Sequence, residues 1–389
     1  KNSKKYLKKQ EKKIIQSNKF IISKSIYDIE CSAIYYDQTR NRIFIGDVEK
    51  KSIKVFNLDG ELVSDIIIGK IPVNFCRTDN SIIICSHNSL NPIDSNMCEV
   101  GYLNEDLTYN IKYNNLNRPT FYEEIHLNGS VYNILLEFGN KYGRAQIRKD
   151  NNIIWQSNLS GAIDCEYYIR DKELNIFVLF AQEHEMLIHL NVSSNVKEKI
   201  LLKKHPGWGF TGIEINKSKF NKQPIIYLSN GDTTEFQSYP RTYHGIRIYK
   251  FENKLIESYF IPVHGILDFK LIGNINKKYD DLVTVSYFAD FVNYPEESVM
   301  FHECGENGEF NSYSLPFQTA RWARVNIIKN NLTNQCNIVL GSMNYTVKNR
   351  VYESNLNYLD NFKIPEDISN TWNDNGNHLL FLKLNPDEK

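Results

Sequence analysis

Seven consecutive stretches of this chain follow one order of elements: a strand, a polar turn, a strongly apolar strand, a small or polar loop, a third strand, a hairpin and a fourth strand. Their spans are about 26–69, 71–113, 117–158, 161–204, 207–262, 264–316 and 319–385. The apolar second strands align as SIIICSH, YNILLEFGN, LNIFVLFAQ, PIIYLSNGD, DLVTVSYFAD and CNIVLGSMN. In the first unit, SIKVFNLDGELVSDI alternates apolar and polar residues on both sides of Asp59-Gly60, which is a hairpin signature. A repeat of this length with four strands per unit reads as propeller blades. One four-stranded sheet cannot cover both of its faces, whereas seven arranged radially can. The expectation is an all-β fold: a seven-bladed β-propeller of four-stranded antiparallel blades over residues 19–389. The strand at 19–25 is expected to complete the last blade and close the ring. A loop insertion at about 342–377 interrupts the seventh unit, with room for one short helix.

Composition agrees. The chain has 389 residues, enough for a large core. Aromatics make up 13%, which favours pleated, half-buried surfaces over helices. The 46 basic and 46 acidic residues cancel, so total charge implies no strongly charged partner. Basic charge concentrates in residues 1–18, where seven lysines face one Glu. This stretch reads as a solvated tail or linker, or as a tether to an anionic membrane surface. No aromatic-interleaved basic strand follows it, so no nucleic-acid partner is expected. No apolar run approaches the ~20 residues of a membrane helix. A leader or lipidated Cys upstream of Lys1 is left open. The seven cysteines (Cys31, Cys76, Cys85, Cys98, Cys165, Cys304, Cys336) include no C-x-x-C. Most fall in apolar strands and read as small buried hydrophobes. A Cys76–Cys85 bridge across a hairpin is the alternative.

Motifs for chemistry fail on context. GWGFTG (207–212) satisfies G-x-G-x-x-G, but it runs into a strand rather than opening a helix. In HEMLIH (184–189) the histidines are five apart, on opposite faces of a strand, rather than four apart on a helix. Asp280-Asp281 and Glu296-Glu297 are adjacent pairs whose members point to opposite faces, so neither is a ready acid/base dyad.

From about 117 to 345, the second strands and their preceding turns, with WGFTGIEIN, NGD and YHGIRIYKFENKLIESYFIPVHGILDFKLIGNINKKYDDLVTVSYFADF, resemble the FG-GAP/VCBS propeller repeats, in a subgroup of exported bacterial proteins. The first blade, IFIGDVEKKSIKVFNLDGELV, looks more like an NHL-type blade. The resemblance implies fold and export, not a reaction. FG-GAP turns usually carry D-x-D-x-D-G-x-x-D, whose oxygens bind Ca²⁺. Here the turns read GNINKKYDDL, KNNLTNQCN, NKSKFNKQP and HLNGSVYN, with Asn, Lys and Ser at the acidic positions. No metal or other cofactor is therefore expected. Asn274, Asn276 and Asp281 would form the residual calcium set, and Lys277 and Lys278 would repel a cation there.

Blade junctions and second-to-third-strand loops of a propeller open on one face, the top. The unusual residues fall in those segments. Trp208, Asp232, Tyr239, His244, Phe288, Asp290, Arg321 and Trp322 are the candidate binding residues, rich in the types that dominate binding hot spots. The functional expectation is a non-catalytic, extracytoplasmic binding or scaffold propeller in the periplasm or at the outer membrane. Its partner would be a membrane-associated protein or a glycan, with membrane contact only through the tail or a lipid anchor. The alternative is a polysaccharide lyase or glycoside hydrolase using His244, Tyr239, Arg321 and Asp290.

Overall fold

The computed structural model describes residues 15–16, 18–78, 80–90, 97–139, 143–181, 184–193, 195–203, 209–216, 223–231, 244–263, 265–273, 277–286, 297–315, 322–330, 335–343 and 378–386. Within them there is no α-helix; strands form seven antiparallel sheets. Blade 1 is β3 to β6 (Cys31–Asp37, Arg42–Asp47, Ser52–Phe56, Leu62–Ile67) and blade 2 is β7 to β10 (Ile71–Arg77, Ile82–His87, Cys98–Leu103, Tyr109–Leu116). Blade 3 is β11 to β14 (Pro119–Leu127, Ser130–Glu137, Arg144–Lys149, Asn152–Ser157) and blade 4 is β15 to β18 (Ala162–Arg170, Glu173–Phe180, Met186–Val192, Val196–Lys203). Blade 5 is β19 to β22 (Phe210–Ile215, Ile225–Asn230, Gly245–Phe251, Leu255–Pro262) and blade 6 is β23 to β26 (Ile266–Leu271, Leu282–Ser286, Val299–Cys304, Phe310–Ser314). Blade 7 combines both ends of the sequence: β27 (Trp322–Asn330), β28 (Gln335–Ser342) and β29 (His378–Leu384) are completed by β2 (Phe20–Tyr27).

The first strand of each blade is innermost and packs beside the first strands of both neighbours, so the ring closes from β27 to β3. Closure by the strand expected at 19–25 is observed, with Phe20 opposite Leu384 and Tyr27 opposite His378. Ile15–Gln16, within the stretch read as tail, forms a short strand β1 that runs parallel to β26 on the outer edge of blade 6. The N-terminal segment thus touches two blades. Lys19 reinforces this, with its ammonium 3.0 Å from Glu303 and 4.6 Å from the centre of the Phe301 ring in blade 6.

The core consists of seven apolar clusters, one in each gap between neighbouring blades. This explains the uninterrupted apolar second strands, whose alternate side chains enter opposite gaps. Leu174, Ile176, Val178 and Phe180 of β16 pack toward blade 3, while Phe177 and Leu179 pack toward blade 5. A strand buried on both faces cannot show the half-polar alternation of a surface strand. Outer strands such as β6 and β18 are largely exposed, and β18 reads VKEKILLK for that reason. The seven cysteines are free thiols, six of them buried. This excludes the Cys76–Cys85 bridge, because Cys76 lies opposite Ile83 and Cys85 opposite Asn74.

Candidate functional site

Antiparallel pairing settles which loops share an end. The connections between blades and those between second and third strands all lie at the end where the inner strands begin, called here the top. Each inner strand carries a β-bulge within its first four residues, in all seven blades. A bulge adds one unpaired residue and re-aims the side chains beyond it. It sets the phase of the polar residues at and just beyond it along the inner strands.

These polar residues bridge every blade gap. Ser32 Oγ donates to the Pro72 carbonyl. Asn74 Nδ2 donates to Thr120 O at 2.8 Å, and His87 Nε2 donates to Pro119 O at 2.9 Å. Thr120 Oγ1 donates to Ala162 O at 2.9 Å. Asp164 Oδ2 accepts from the Ile213 amide at 3.0 Å. Lys270 pairs with Glu214. Asp268 Oδ2 accepts from the Val325 amide at 3.0 Å. Arg324 Nε donates to Ser32 O at 2.7 Å and Asn326 Nδ2 to Ile34 O at 2.9 Å, which joins blade 7 to blade 1.

Asp164, Glu214, Asp268, Lys270 and Arg324 form the most charged part of this ring. The other oxygen of Asp164 accepts from the Cys165 amide at 2.8 Å, and that of Asp268 from the Phe269 amide at 2.9 Å. Burial pushes the Asp164 carboxyl up to about 6, against the opposing pull of the Ile213 amide and Lys270. Asp268 moves in the same direction, again chiefly through burial. Burial works against the Lys270 ammonium, but Glu214 and Asp268 outweigh it and hold its pKa above the ordinary value. On the blade 2 side, burial and then Arg118 bring His87 down to about 3, so its imidazole is neutral. These charged groups therefore act first as bridges between neighbouring backbones.

Of the eight candidate binding residues, His244 alone has a described side chain. It directly precedes β21 at the top end and is 2% exposed, with its carbonyl accepting from the Val263 amide at 3.2 Å. Surface contact there would require it to move. Trp322 opens β27 opposite Ser342, which puts its backbone at the top end. Trp208, Asp232, Tyr239, Phe288, Asp290 and Arg321 lie outside the described residues, as do Asn274 and Asn276. The segments that hold the six candidate binding residues (204–209, 231–244, 287–298 and 315–321) all join strands at the top, whereas Asn274 and Asn276 fall between β23 and β24. The glycines of GWGFTG do lead into an inner strand: the Gly209 and Phe210 amides donate to Glu185 Oε1 at 2.8 and 3.2 Å. The Asp280-Asp281 pair diverges, Asp280 accepting from Asn216 (2.5 Å) and Tyr227 (2.9 Å). Asp281 accepts instead from the Cys304 amide at 2.8 Å and holds the Lys277 ammonium at 3.0 and 3.1 Å. Among the described residues, no group of three or more His, Cys, Asp or Glu could hold a metal ion.

The bridging set did not emerge from motif reasoning. Its trace is faint but present: AIDCE, ILDFK and WARVN open three inner strands and place polar groups two residues apart.

No family model matches the chain, and no curated protein matches it by sequence. Solved structures do resemble it. A chain from the crystal structure of BBS1N in complex with ARL6DN is similar with a TM-score of 0.55 and 10% identity, over 96% of this chain and 98% of that one. A putative 6-phosphogluconolactonase from Bacteroides fragilis is similar with a TM-score of 0.50 and 10% identity, over 72% of this chain and 82% of that one. At 10% identity, these likenesses establish a shared fold.

Proposed function

We propose that this chain is a non-catalytic binding propeller that presents the top end of its ring to a membrane-associated protein outside the cytoplasm. The observation that carries the reading is the use of the inner-strand charges. Asp164 and Asp268 each receive two backbone amides, and Glu214 is taken up by Lys270. Groups that hold a scaffold together are poorly placed to bind and release a substrate. The irregular connections at the top are left for recognition, on a frame rigid enough to position them. The FG-GAP/VCBS resemblance of the second strands fits an exported protein. A structurally similar chain comes from a crystal of two proteins in complex, which fits a propeller used for protein contact. The basic stretch at 1–14 leads into β1 at the outer edge of blade 6, so a tether there would leave the top end unobstructed.

The test is recovery of partners from native membranes with the basic N-terminal segment intact. A stoichiometric membrane protein is the expected result. Recovery of the propeller alone, together with turnover on a panel of glycans, would reverse the assignment in favour of a carbohydrate-active enzyme.

A further inference from the structure

Two lysines at the top end converge on one residue and, among the described residues, meet no carboxylate. Lys51, in the turn between β4 and β5, places its Nζ 3.1 Å from the backbone oxygen of Asn88. Lys70, just before β7, places its Nζ 3.2 Å from the Asn88 side-chain oxygen and 2.8 Å from the Met97 carbonyl. Both residues are half-buried, the Lys70 contact with Met97 is exposed, and every described acceptor of the two ammoniums is neutral. Three carboxylates of blades 1 to 3 have partners of their own. Asp47 is fully buried and lies 3.5 Å from Lys54. Glu99 accepts from the Tyr109 hydroxyl at 2.7 Å. Glu137 takes Arg144 and the Asn117 amide.

Two like charges drawn to opposite ends of one asparagine repel each other, and the repulsion is strongest where water is partly excluded. A small oxyanion received beside Asn88 would relieve it and gain charge-assisted hydrogen bonds from both ammoniums. Three further features fit this. The lysines belong to separate segments that the β5–β6 pairing of blade 1 brings together, and Asn88 is supplied by blade 2. Backbone amides of Ile68 and Gly69 both donate to the Lys51 carbonyl, which fixes the turn that carries the first lysine. The site also lies at the top end, where contact with a partner is proposed.

We infer that Lys51, Lys70 and Asn88 form an anion-receiving site for carboxylate side chains of an acidic protein segment. The inference deepens the binding reading above and rests on it for the source of the ligand. The probe is a fluorescently labelled hexaglutamate peptide, measured by anisotropy at 50 and 300 mM salt. Binding is expected at the lower salt and at least tenfold weaker at the higher. The double variant Lys51→Gln/Lys70→Gln, checked for an unchanged circular dichroism spectrum, is expected to lose at least tenfold. Lys50→Gln, an exposed lysine in the same turn, is expected to change binding less than twofold. The site is refuted if hexaglutamate does not bind at 50 mM salt, if the double variant binds within twofold of the parent, or if Lys50→Gln loses as much. Displacement by millimolar inorganic phosphate would overturn the carboxylate assignment in favour of a phosphate group. A membrane partner recovered equally well by the double variant would refute this site and leave the binding reading standing. Peptide binding without any recoverable partner would do the reverse.

Discussion

Phe20→Ala tests ring closure, the feature on which the remaining architecture depends. Phe20 lies on β2, opposite Leu384, and is 2% exposed. Its ring meets Phe301 of blade 6 edge-on at 5.5 Å and joins the cluster that fills the gap between blades 6 and 7. Truncating a buried Phe removes its transfer free energy and leaves a cavity, at a cost of about 3–5 kcal/mol. With an unfolding entropy of about 2.1 cal/mol/K per residue, 389 residues give about 0.8 kcal/mol/K, so a loss of about 4 kcal/mol lowers Tm by about 5 °C. Ile22, two residues along the same strand, is 45% exposed. Ile22→Ala should cost less than about 1 kcal/mol, or roughly 1 °C. Calorimetry on the two variants, with hydrogen exchange on the β29 amides, separates the cases. Equal small shifts, with β29 protection unchanged in Phe20→Ala, would mean that β2 does not complete blade 7, and the closed ring would have to be abandoned.

Other consequences can be measured directly. Because the folded-state pKa of Asp164, about 6, lies above its unfolded value, the folded protein takes up a proton that the unfolded chain does not. The ionised form therefore costs stability above pH 6; the cost fades as pH falls through 6 and is gone below the unfolded pKa. Carboxyl NMR should find a midpoint near 6 for Asp164, and Asp164→Asn should flatten the pH dependence of Tm between pH 7.5 and 4.5; an unchanged profile would contradict the assignment. Gly341→Ala should cost about 1–3 kcal/mol, because a Cβ there would overlap the Cys31 side chain across the closing gap. Denaturant titration should show part of that loss recovered when Cys31→Ala is added. Native labelling with a thiol reagent should modify Cys336 at most, and all seven cysteines should react once the protein is unfolded, since six are buried. Rapid labelling of several thiols in the native state would argue against the packed blade gaps.

Blade spans and second strands were legible because their signals are local. YNILLEFGN and LNIFVLFAQ are recognisable without knowing what covers them, and Asp59-Gly60 marks its own hairpin. The top-end candidates were chosen by residue type and loop position. That reasoning placed the candidates in segments at one end of the ring but carried no information on the burial of His244, whose imidazole is packed away from solvent. Nothing in its neighbours along the chain distinguishes a buried loop histidine from an exposed one.

The number of blades, their order and the strand that closes the ring were determined by the sequence alone, because alternation and turn chemistry act over a few residues and repeat seven times. Tertiary structure decided which polar groups meet. Asp164 receives the Ile213 amide from 49 positions away, Lys270 finds Glu214 across 56, and Lys51 and Lys70 reach Asn88 from separate loops. The first two pairings depend on the bulge that shifts the phase of each inner strand, and all three on how one blade packs against the next, which no local stretch of sequence specifies.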